Sequence, residues 1–138
     1  MSAEPAKRSD GWEERLAAFI ESRMATPFAW GSHDCCAFTA GAFRELTGCD
    51  AMARHASYST ALGAASVLRS AGGIERIPEM HGCTPQPVAL ARRGDVVSIE
   101  INNRISLGVC DGANSFFAAP RGLAVVQTSK CRASWRIE

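Results

Sequence analysis

The segment Pro27-Phe28-Ala29-Trp30-Gly31-Ser32-His33-Asp34-Cys35-Cys36 decides how the rest of the chain folds around it. It is an aromatic, glycine-containing loop that ends in an acid and a cysteine, directly before a helical pattern of apolar residues. A cysteine in the first turn of a helix lies among unpaired backbone N–H groups, at the positive end of the helix dipole. Both features favour the thiolate, so Cys35 is a candidate nucleophile and Asp34 is the expected N-cap.

Apolar residues recur at helical spacing on both sides of this segment. We predict three helices from that spacing, over about residues 11–25, 35–47 and 59–71. The first is expected to begin at Asp10, with Glu13 as its capping-box partner, and to end before Pro27. The second is expected to end at Gly48, since glycine is the usual residue just past a helix C-terminus.

The periodicity changes in the second half of the chain. Residues 74–94 are irregular, and Gly94-Asp95 then opens a region rich in β-branched residues. We predict strands over residues 96–101, 105–110, 115–118, 123–127 and 135–137. Asn102-Asn103 reads as a hairpin turn. Helices followed by a meander predict an α+β fold, with N-terminal helices packed on a C-terminal antiparallel sheet.

Length and charge limit the classes of function. The 138 residues fit one domain, which we place at residues 9–138 after a disordered lead at residues 1–8. With 15 basic and 14 acidic residues the net charge is +1, which gives no electrostatic reason to expect binding to nucleic acid. No apolar run is long enough for membrane insertion, and the polar N-terminus lacks a signal peptide. We therefore expect synthesis in the cytosol.

Six cysteines are present, but their spacing contains no CxxC pair and no pattern typical of zinc. We therefore predict no metal and no cofactor, and without an export signal a disulfide framework is not expected. Of the vicinal pair, Cys35 is assigned to the cleft and Cys36 to the core, because neighbouring helical residues point about 100° apart. The remaining cysteines are interpreted as small buried hydrophobes, namely Cys49, Cys83, Cys110 and Cys131.

These motifs, in this order, resemble the NlpC-type cysteine peptidases, papain-like enzymes that cut peptide bonds in bacterial cell-wall peptidoglycan. The resemblance covers about residues 12–137 and rests on Phe28-Ala29-Trp30-Gly31, Asp34-Cys35 and Gly94-Asp95-Val96-Val97. It implies a papain-like fold with Cys35 as nucleophile. It also implies that Phe28, Trp30 and Asp34 form the binding loop of the cleft.

A narrower resemblance is to a phage- and prophage-borne branch of that superfamily, whose members are encoded among tail genes. It rests on Trp30 to Cys35, Leu46-Thr47-Gly48, Gly72-Gly73, Arg93-Gly94-Asp95 and the terminal segment from Cys131 to Arg136. This branch implies a component of the virion tail, assembled in the bacterial cytoplasm. The implied partners are other phage tail proteins and peptidoglycan peptides.

The chain departs from the family at both imidazole positions. Aligned on the family pattern, Ser106 stands where the base histidine is expected, and Ala118 stands at the third triad position. A serine hydroxyl cannot protonate a leaving amine at neutral pH, and losing a general acid–base group typically costs 10²–10⁴-fold in rate. The resemblance therefore implies a degenerate triad of Cys35, Ser106 and Ala118.

Three histidines remain as alternative bases. His33 lies two residues before Cys35 and could approach the thiol or brace the loop. His55 could fold over the site or lie in solvent, and His81 is interpreted as a surface residue.

Two functions follow from these alternatives: a structural tail-tip protein with an inactive peptidase fold, or a thiol peptidase or amidase with a non-standard base. Cysteine-based metal or iron–sulfur binding is a third hypothesis, which the scatter of the cysteines disfavours.

Overall fold

The computed structural model describes residues 4–138, in which helices come first along the chain and strands second. The helices are α1 (Trp12–Arg23), α2 (Cys35–Thr47), α3 (Ala61–Ala71) and the short α4 (Ile77–Met80). The strands are β1 (Thr84–Gln86), β2 (Val96–Ile101), β3 (Arg104–Cys110), β4 (Asn114–Ala119), β5 (Gly122–Gln127) and β6 (Ala133–Arg136). The predicted α+β fold, with N-terminal helices on a C-terminal antiparallel sheet, is confirmed.

The six strands form one antiparallel sheet in the order β1-β6-β2-β3-β4-β5. The longest pairing joins β2 to β3, from Val96 opposite Val109 to Ile101 opposite Arg104. Asn102 and Asn103 close this hairpin with positive φ angles of 53° and 62°, which confirms the predicted turn. Strand β1 falls within the segment predicted to be irregular, because three residues around Pro85 carry no alternating apolar pattern.

Alternation along the strands gives the sheet two apolar faces. On one face Val96, Leu107 and Val109 pack against α1 and α2 in the main core. On the other face a smaller core lies under the single-turn helices Val88–Leu90 and Thr128–Lys130. Its buried members are Val97, Ile99, Cys110, Phe117 and Cys131. The candidate site lies on the first face, where the N-terminus of α2 meets β3.

The N-terminal segment is part of the domain, so the predicted disordered lead is wrong for residues 6–8. Ala6 is buried and exchanges backbone hydrogen bonds with Gly82 and Glu138. The Arg8 guanidinium donates to Asp95 Oδ1 at 2.7 Å, where it is screened from solvent. Residues 1–3 of that prediction lie outside the described part of the chain.

Two other local predictions need correction. Helix α1 begins at Trp12 after Gly11, whose φ is 80°, and the Asp10 side chain makes no capping hydrogen bond. The Arg15 guanidinium instead bonds the Asp10 carbonyl, which holds the start of the helix. Cys49 is exposed rather than buried, because it directly follows the glycine that ends α2. The other three cysteines interpreted as buried hydrophobes are buried, namely Cys83, Cys110 and Cys131.

Candidate functional site

Asp34 organises the start of α2, as the sequence predicts. Its Oδ1 accepts a hydrogen bond from the Ala37 backbone N–H at 2.8 Å, which is the expected N-cap. Its Oδ2 accepts from the Gly31 N–H and from the Tyr58 hydroxyl, each at 2.7 Å. A buried carboxylate with three donors is well satisfied, so Asp34 fixes the loop, the helix and Tyr58 to one another.

Gly31 is the point at which this loop touches the segment that carries Tyr58. Its φ is 84°, and a Cβ there would collide with the Tyr58 carbonyl oxygen. Glycine is therefore required twice over, for backbone angle and for space. The close approach brings the Tyr58 hydroxyl to Asp34, and burial together with that hydrogen bond raises the pKa of Tyr58.

Cys35 and Cys36 begin α2 and both line an apolar cavity, so the assignment of Cys36 to the core is wrong. A hydrogen bond with the Cys36 thiol lowers the pKa of Cys35, with help from the Leu107 and Cys36 backbone N–H groups, although burial and Asp34 oppose them. That same hydrogen bond, together with burial, raises the pKa of Cys36. Of the two, Cys35 is therefore the thiol that ionises more readily. The thiolate is the form that reacts.

The cavity has a volume of about 80 Å³ and lies between α2, α3, α4 and the sheet. Its wall is mainly apolar and includes Phe43, Val67, Leu68, Ile77, Pro78, Val96 and Leu107. Cys83 also lines it, but burial raises the pKa of that thiol to about 12, so Cys83 is protonated at neutral pH.

Thr39 is the unexpected polar group in this wall. It lies one helical turn after Cys35, is 6% exposed, and its Oγ1 has no hydrogen-bond partner. Thr47, near the other end of the same helix, behaves in the usual way and donates to the Phe43 carbonyl at 2.8 Å. The Thr39 hydroxyl oxygen is also closed off from solvent, so it is a buried polar group whose desolvation no hydrogen bond offsets.

Two histidines, His55 and His81, also line the cavity. The Nε2 atoms of His55 and His81 are 2.9 Å apart, and Arg54 Nη1 lies 3.5 Å from His81 Nδ1. Since Arg54 can only donate, His81 Nδ1 accepts and its Nε2–H donates to His55. Burial, followed by His55 and Arg54, lowers the pKa of His81 to about 4. The interpretation of His81 as a surface residue is therefore wrong.

His33 braces the loop and does not line the cavity. Its ring is fully buried, and Nε2 bonds the Gly122 carbonyl at 2.9 Å, which ties the loop to the first residue of β5. Nδ1 is buried without a partner. Of the two roles left open by the sequence, the structure places His33 in the bracing one.

The two aromatic residues of the loop pack against each other. Phe28 and Trp30 lie edge to face with ring centroids 4.8 Å apart, and both rings are partly open to solvent. Trp30 and Asp34 line the cavity with Cys35, as the resemblance implies for the binding loop. Phe28 does not line the cavity and contacts it only through Trp30.

Ser106 lies away from Cys35. It pairs with Ile99, whose side chain belongs to the smaller core on the opposite face of the sheet. The neighbouring Leu107 faces α2 and lines the cavity. The prediction that places Ser106 beside the thiol is therefore wrong by one residue along β3, because neighbouring strand residues point to opposite faces of the sheet. Ala118 packs against the main core, on the helix face.

Sequence reasoning missed Thr39, Tyr58 and the pairing of His55 with His81 as parts of the site. The i, i+4 spacing of Cys35 and Thr39 was a readable signal, because such residues share a helix face. The other contacts join segments 24 and 26 residues apart and carry no local signal.

Within residues 4–138, no group of three or more His, Cys, Asp or Glu side chains is placed to hold a metal ion. No helix in the described part of the chain is both long and apolar enough to cross a membrane.

Comparison with known proteins gives a family but not an activity. No curated protein matches the sequence. A family described as a domain of unknown function, DUF6950, matches residues 7–137 and so includes the loop, both cysteines and the whole sheet. The chain therefore belongs to the DUF6950 family.

Proposed function

We propose that the protein is a structural component of a phage or prophage tail tip, built on an NlpC-type fold that no longer hydrolyses peptides. The observation that carries the loss of hydrolysis is the pair Leu107 and Ala118. Both stand on the helix face of the sheet, where a peptidase of this type would present its acid–base groups toward Cys35. The tail location rests on the resemblance in the loop and in the terminal segment.

The missing groups matter because of what an amide requires. A thiolate can attack a peptide carbonyl, but the departing amine must receive a proton from a positioned acid. Neither a leucine nor an alanine side chain can supply one. Losing such a group typically costs 10²–10⁴-fold in rate, so two losses leave little catalysis.

The histidines of the site are engaged elsewhere. His33 is bonded to the Gly122 carbonyl, and the Nε2 atoms of His55 and His81 face each other. Asp34, Tyr58 and Gly31 remain well bonded as a scaffold, which is consistent with a fold retained for assembly. This part of the argument rests on analogy between fold and function.

Hydrolysis is tested directly with purified muropeptides. Cleavage is measured by chromatography of the products. We expect the wild-type protein to release no more product than a Cys35→Ala variant. Cys49→Ala serves as the matched control, because that thiol is exposed and does not line the cavity. Rapid cleavage that Cys35→Ala removes and Cys49→Ala preserves would overturn the proposal.

The tail location is tested in the phage or induced prophage that carries the gene. Purified virions should contain the protein by mass spectrometry, and particles made without the gene should have defective or shortened tails in electron micrographs. Normal, infectious particles that lack the protein would rule out a structural role in the tail.

A second candidate function is a thiol hydrolase that uses His55 as its base. One observation favours it: Cys35 and both paired histidines line the same cavity. Alkylation of Cys35 followed against pH tests this candidate, with Cys49 as the internal reference thiol. An apparent pKa well below ~8.5 that returns toward it in His55→Ala would support the candidate, and an unchanged profile would exclude it.

A further inference from the structure

Strand β5 forms one edge of the sheet and pairs only with β4. Within residues 4–138, no backbone hydrogen bond reaches residues 123–127 from outside that pairing. The first residue of the strand is covered, because the Gly122 carbonyl bonds His33 and a Cβ at that glycine would collide with the Met24 carbonyl oxygen. The loop after α1 therefore closes the start of the edge and leaves residues 123–127 open.

The pairing of β5 with β4 shows which backbone groups face outward. The Thr128 N–H donates to the Ala113 carbonyl, so the Gln127 N–H and C=O groups point away from β4. Alternation along an antiparallel ladder gives Leu123 and Val125 the same outward direction. Three residues thus present donors and acceptors without a partner in the described chain, which is the template that a further strand requires.

The edge lacks the devices that usually protect such a strand, namely a charge, a proline, a bulge or a covering segment. Residues 123–127 read Leu-Ala-Val-Val-Gln, without charge or proline. Pairing with β4 continues without a bulge along the whole strand. Val125, at the centre of the open stretch, is β-branched, apolar and 54% exposed. Backbone and side chains alike are therefore suited to strand pairing.

We infer that β5 pairs with β5 of a second copy of the chain, antiparallel and about a two-fold axis at Val125. In this register Val125 faces Val125 of the second copy, and Leu123 faces Gln127 of the second copy. Antiparallel partners of this kind exchange both of their backbone hydrogen bonds, so every outward N–H and C=O group of residues 123–127 is satisfied. The contact is isologous, which is the commonest arrangement of identical chains.

The chemistry of the edge selects a second copy over a foreign strand. A foreign strand is usually recognised through pockets for its alternate side chains or through complementary charge. No residue of β5 lines the cavity beside Cys35, and no charged residue lies between Gly122 and Ser129. A neutral aliphatic strand matches this edge, and β5 of another copy is such a strand. The pairing does not depend on the loss of hydrolysis.

Side-chain packing agrees with the same register. Val125 lies on the helix face of the sheet, because it pairs with Phe116, which packs against the main core. At the two-fold axis it would pack against Val125 of the second copy, which covers both exposed side chains. On the opposite face, Ala124 would lie beside Val126 of the second copy. β-Branched and aliphatic cross-strand neighbours of this kind stabilise sheets.

The first experiment measures the oligomeric state of the full chain by sedimentation velocity and native mass spectrometry over a range of protein concentrations. We expect wild type to form a dimer as concentration rises. Val125→Lys places two like charges opposite each other, so its dimer dissociation constant should rise roughly tenfold or more. Ile101→Lys is the matched control, since Ile101 is 55% exposed but lies on β2, away from the edge. A wild type that stays monomeric, or a Val125→Lys variant that dimerises equally well, would overturn the inference.

A charge exchange at the axis tests the register itself. Val125→Glu alone should also be monomeric, whereas an equimolar mixture of Val125→Lys and Val125→Glu should form a heterodimer that native mass spectrometry resolves. Recovery is expected because residue 125 faces itself only when the axis passes through it. Circular dichroism checks that both variants are folded. A mixture of folded variants that stays monomeric, under conditions where wild type dimerises, would overturn the pairing at Val125.

Hydrogen exchange of wild type tests the pairing without any substitution. The amides of Leu123, Val125 and Gln127 should become protected as the dimer forms, because each then donates across the axis. The amides of Ala124 and Val126 should be protected at every concentration, since they donate to β4. A dimer in which the first three amides still exchange freely would show that the copies associate through another surface, which would overturn the inference.

Discussion

Cys35 and Cys36 are adjacent in sequence and share one cavity, yet their pKa values move in opposite directions. The hydrogen bond between the two thiols stabilises an anion on Cys35 and holds the proton on Cys36. The Cys36 thiol thus acts as the hydrogen-bond donor to the Cys35 sulfur. We expect Cys36→Ala to reduce the reactivity of Cys35 even though it removes a competing thiol.

Thr39→Val is expected to stabilise the protein. A buried hydroxyl without a partner costs about 1–3 kcal/mol, and valine removes that cost at nearly constant shape. Urea denaturation should give a higher unfolding midpoint for Thr39→Val than for wild type. The unfolding midpoint of Thr47→Val should not exceed that of wild type, because the Thr47 hydroxyl is hydrogen bonded. Equal effects of the two substitutions would contradict this account of Thr39.

His81 should make stability depend on pH below neutrality. Its pKa is about 4 in the folded protein and ordinarily about 6.5, so the unfolded chain binds a proton that the folded chain excludes. The free energy of unfolding should therefore fall as pH drops from about 6.5 to 4, and level off below that. Thermal unfolding at pH 7 and pH 5 should show a smaller decrease for His81→Gln than for wild type. A decrease of the same size in both proteins would argue against His81 as the source.

At the scale of elements, the β2–β3 hairpin depends on its two-residue turn. Asn102 and Asn103 both have positive φ, the geometry for which Asn-Gly is the strongest sequence. We expect Asn103→Gly to leave stability equal or slightly raised, and Asn103→Val to lower it by about 1–2 kcal/mol. Chemical denaturation checks both. Asn114→Val, at the start of β4, is a control without a turn geometry to lose.

Elements with strong local signals were predictable from sequence. Asp34 and Gly48 mark both ends of α2, and the alternating apolar residues of Val96 to Ile101 mark β2. The start of α1 was mispredicted because Asp10 has the residue type of a cap, while Gly11 takes that position. β1 was missed because its pairing with β6 comes from tertiary contacts rather than from its own three residues.

The site was predictable only where it coincides with the sequence motif. Cys35, Asp34 and Trp30 lie around one cavity as expected, because a loop and the helix that follows it are fixed locally. Ser106 was misplaced because a shift of one residue in a strand reverses the face of every side chain. The sequence does not distinguish Thr39 from other helical threonines, because its lack of a hydrogen-bond partner is a property of the folded structure.

At the scale of the molecule, one buried ion pair joins the two ends of the fold. Arg8 contacts Asp95 at the start of β2 and donates through Nε to the Ile137 carbonyl. Asp95 also accepts hydrogen bonds from the Gln86 side chain and from the backbone N–H groups of Arg92 and Ile137. Its carboxylate thus joins its own turn to the N-terminal segment, to β1 and to the C-terminal segment. Burial is the main cause that lowers the pKa of Arg8, and Asp95 opposes it.

Arg8→Ala should destabilise the whole domain. Removing one partner leaves the fully buried Asp95 carboxylate without its cation, which typically costs about 3–5 kcal/mol. Arg132→Ala is the matched control, since Arg132 contacts Glu75 at a surface where ion pairs contribute at most about 1 kcal/mol. The midpoints of urea denaturation should separate the two variants clearly. A small effect of Arg8→Ala, equal to that of Arg132→Ala, would show that the N-terminal segment docks without stabilising the core.

The two borders of the sheet differ in a way that limits assembly. β1 is three residues long with Pro85 at its centre. β5 carries no charge and no proline, and beyond Gly122, whose carbonyl is bonded to His33, it presents residues 123–127. Proline lacks the N–H that a neighbouring strand would need, so further strands are disfavoured beside β1 and permitted beside β5. Association of copies through their sheets would therefore stop at a pair. Pairing through β5 therefore uses the one permissive border of each copy and leaves none for a further strand.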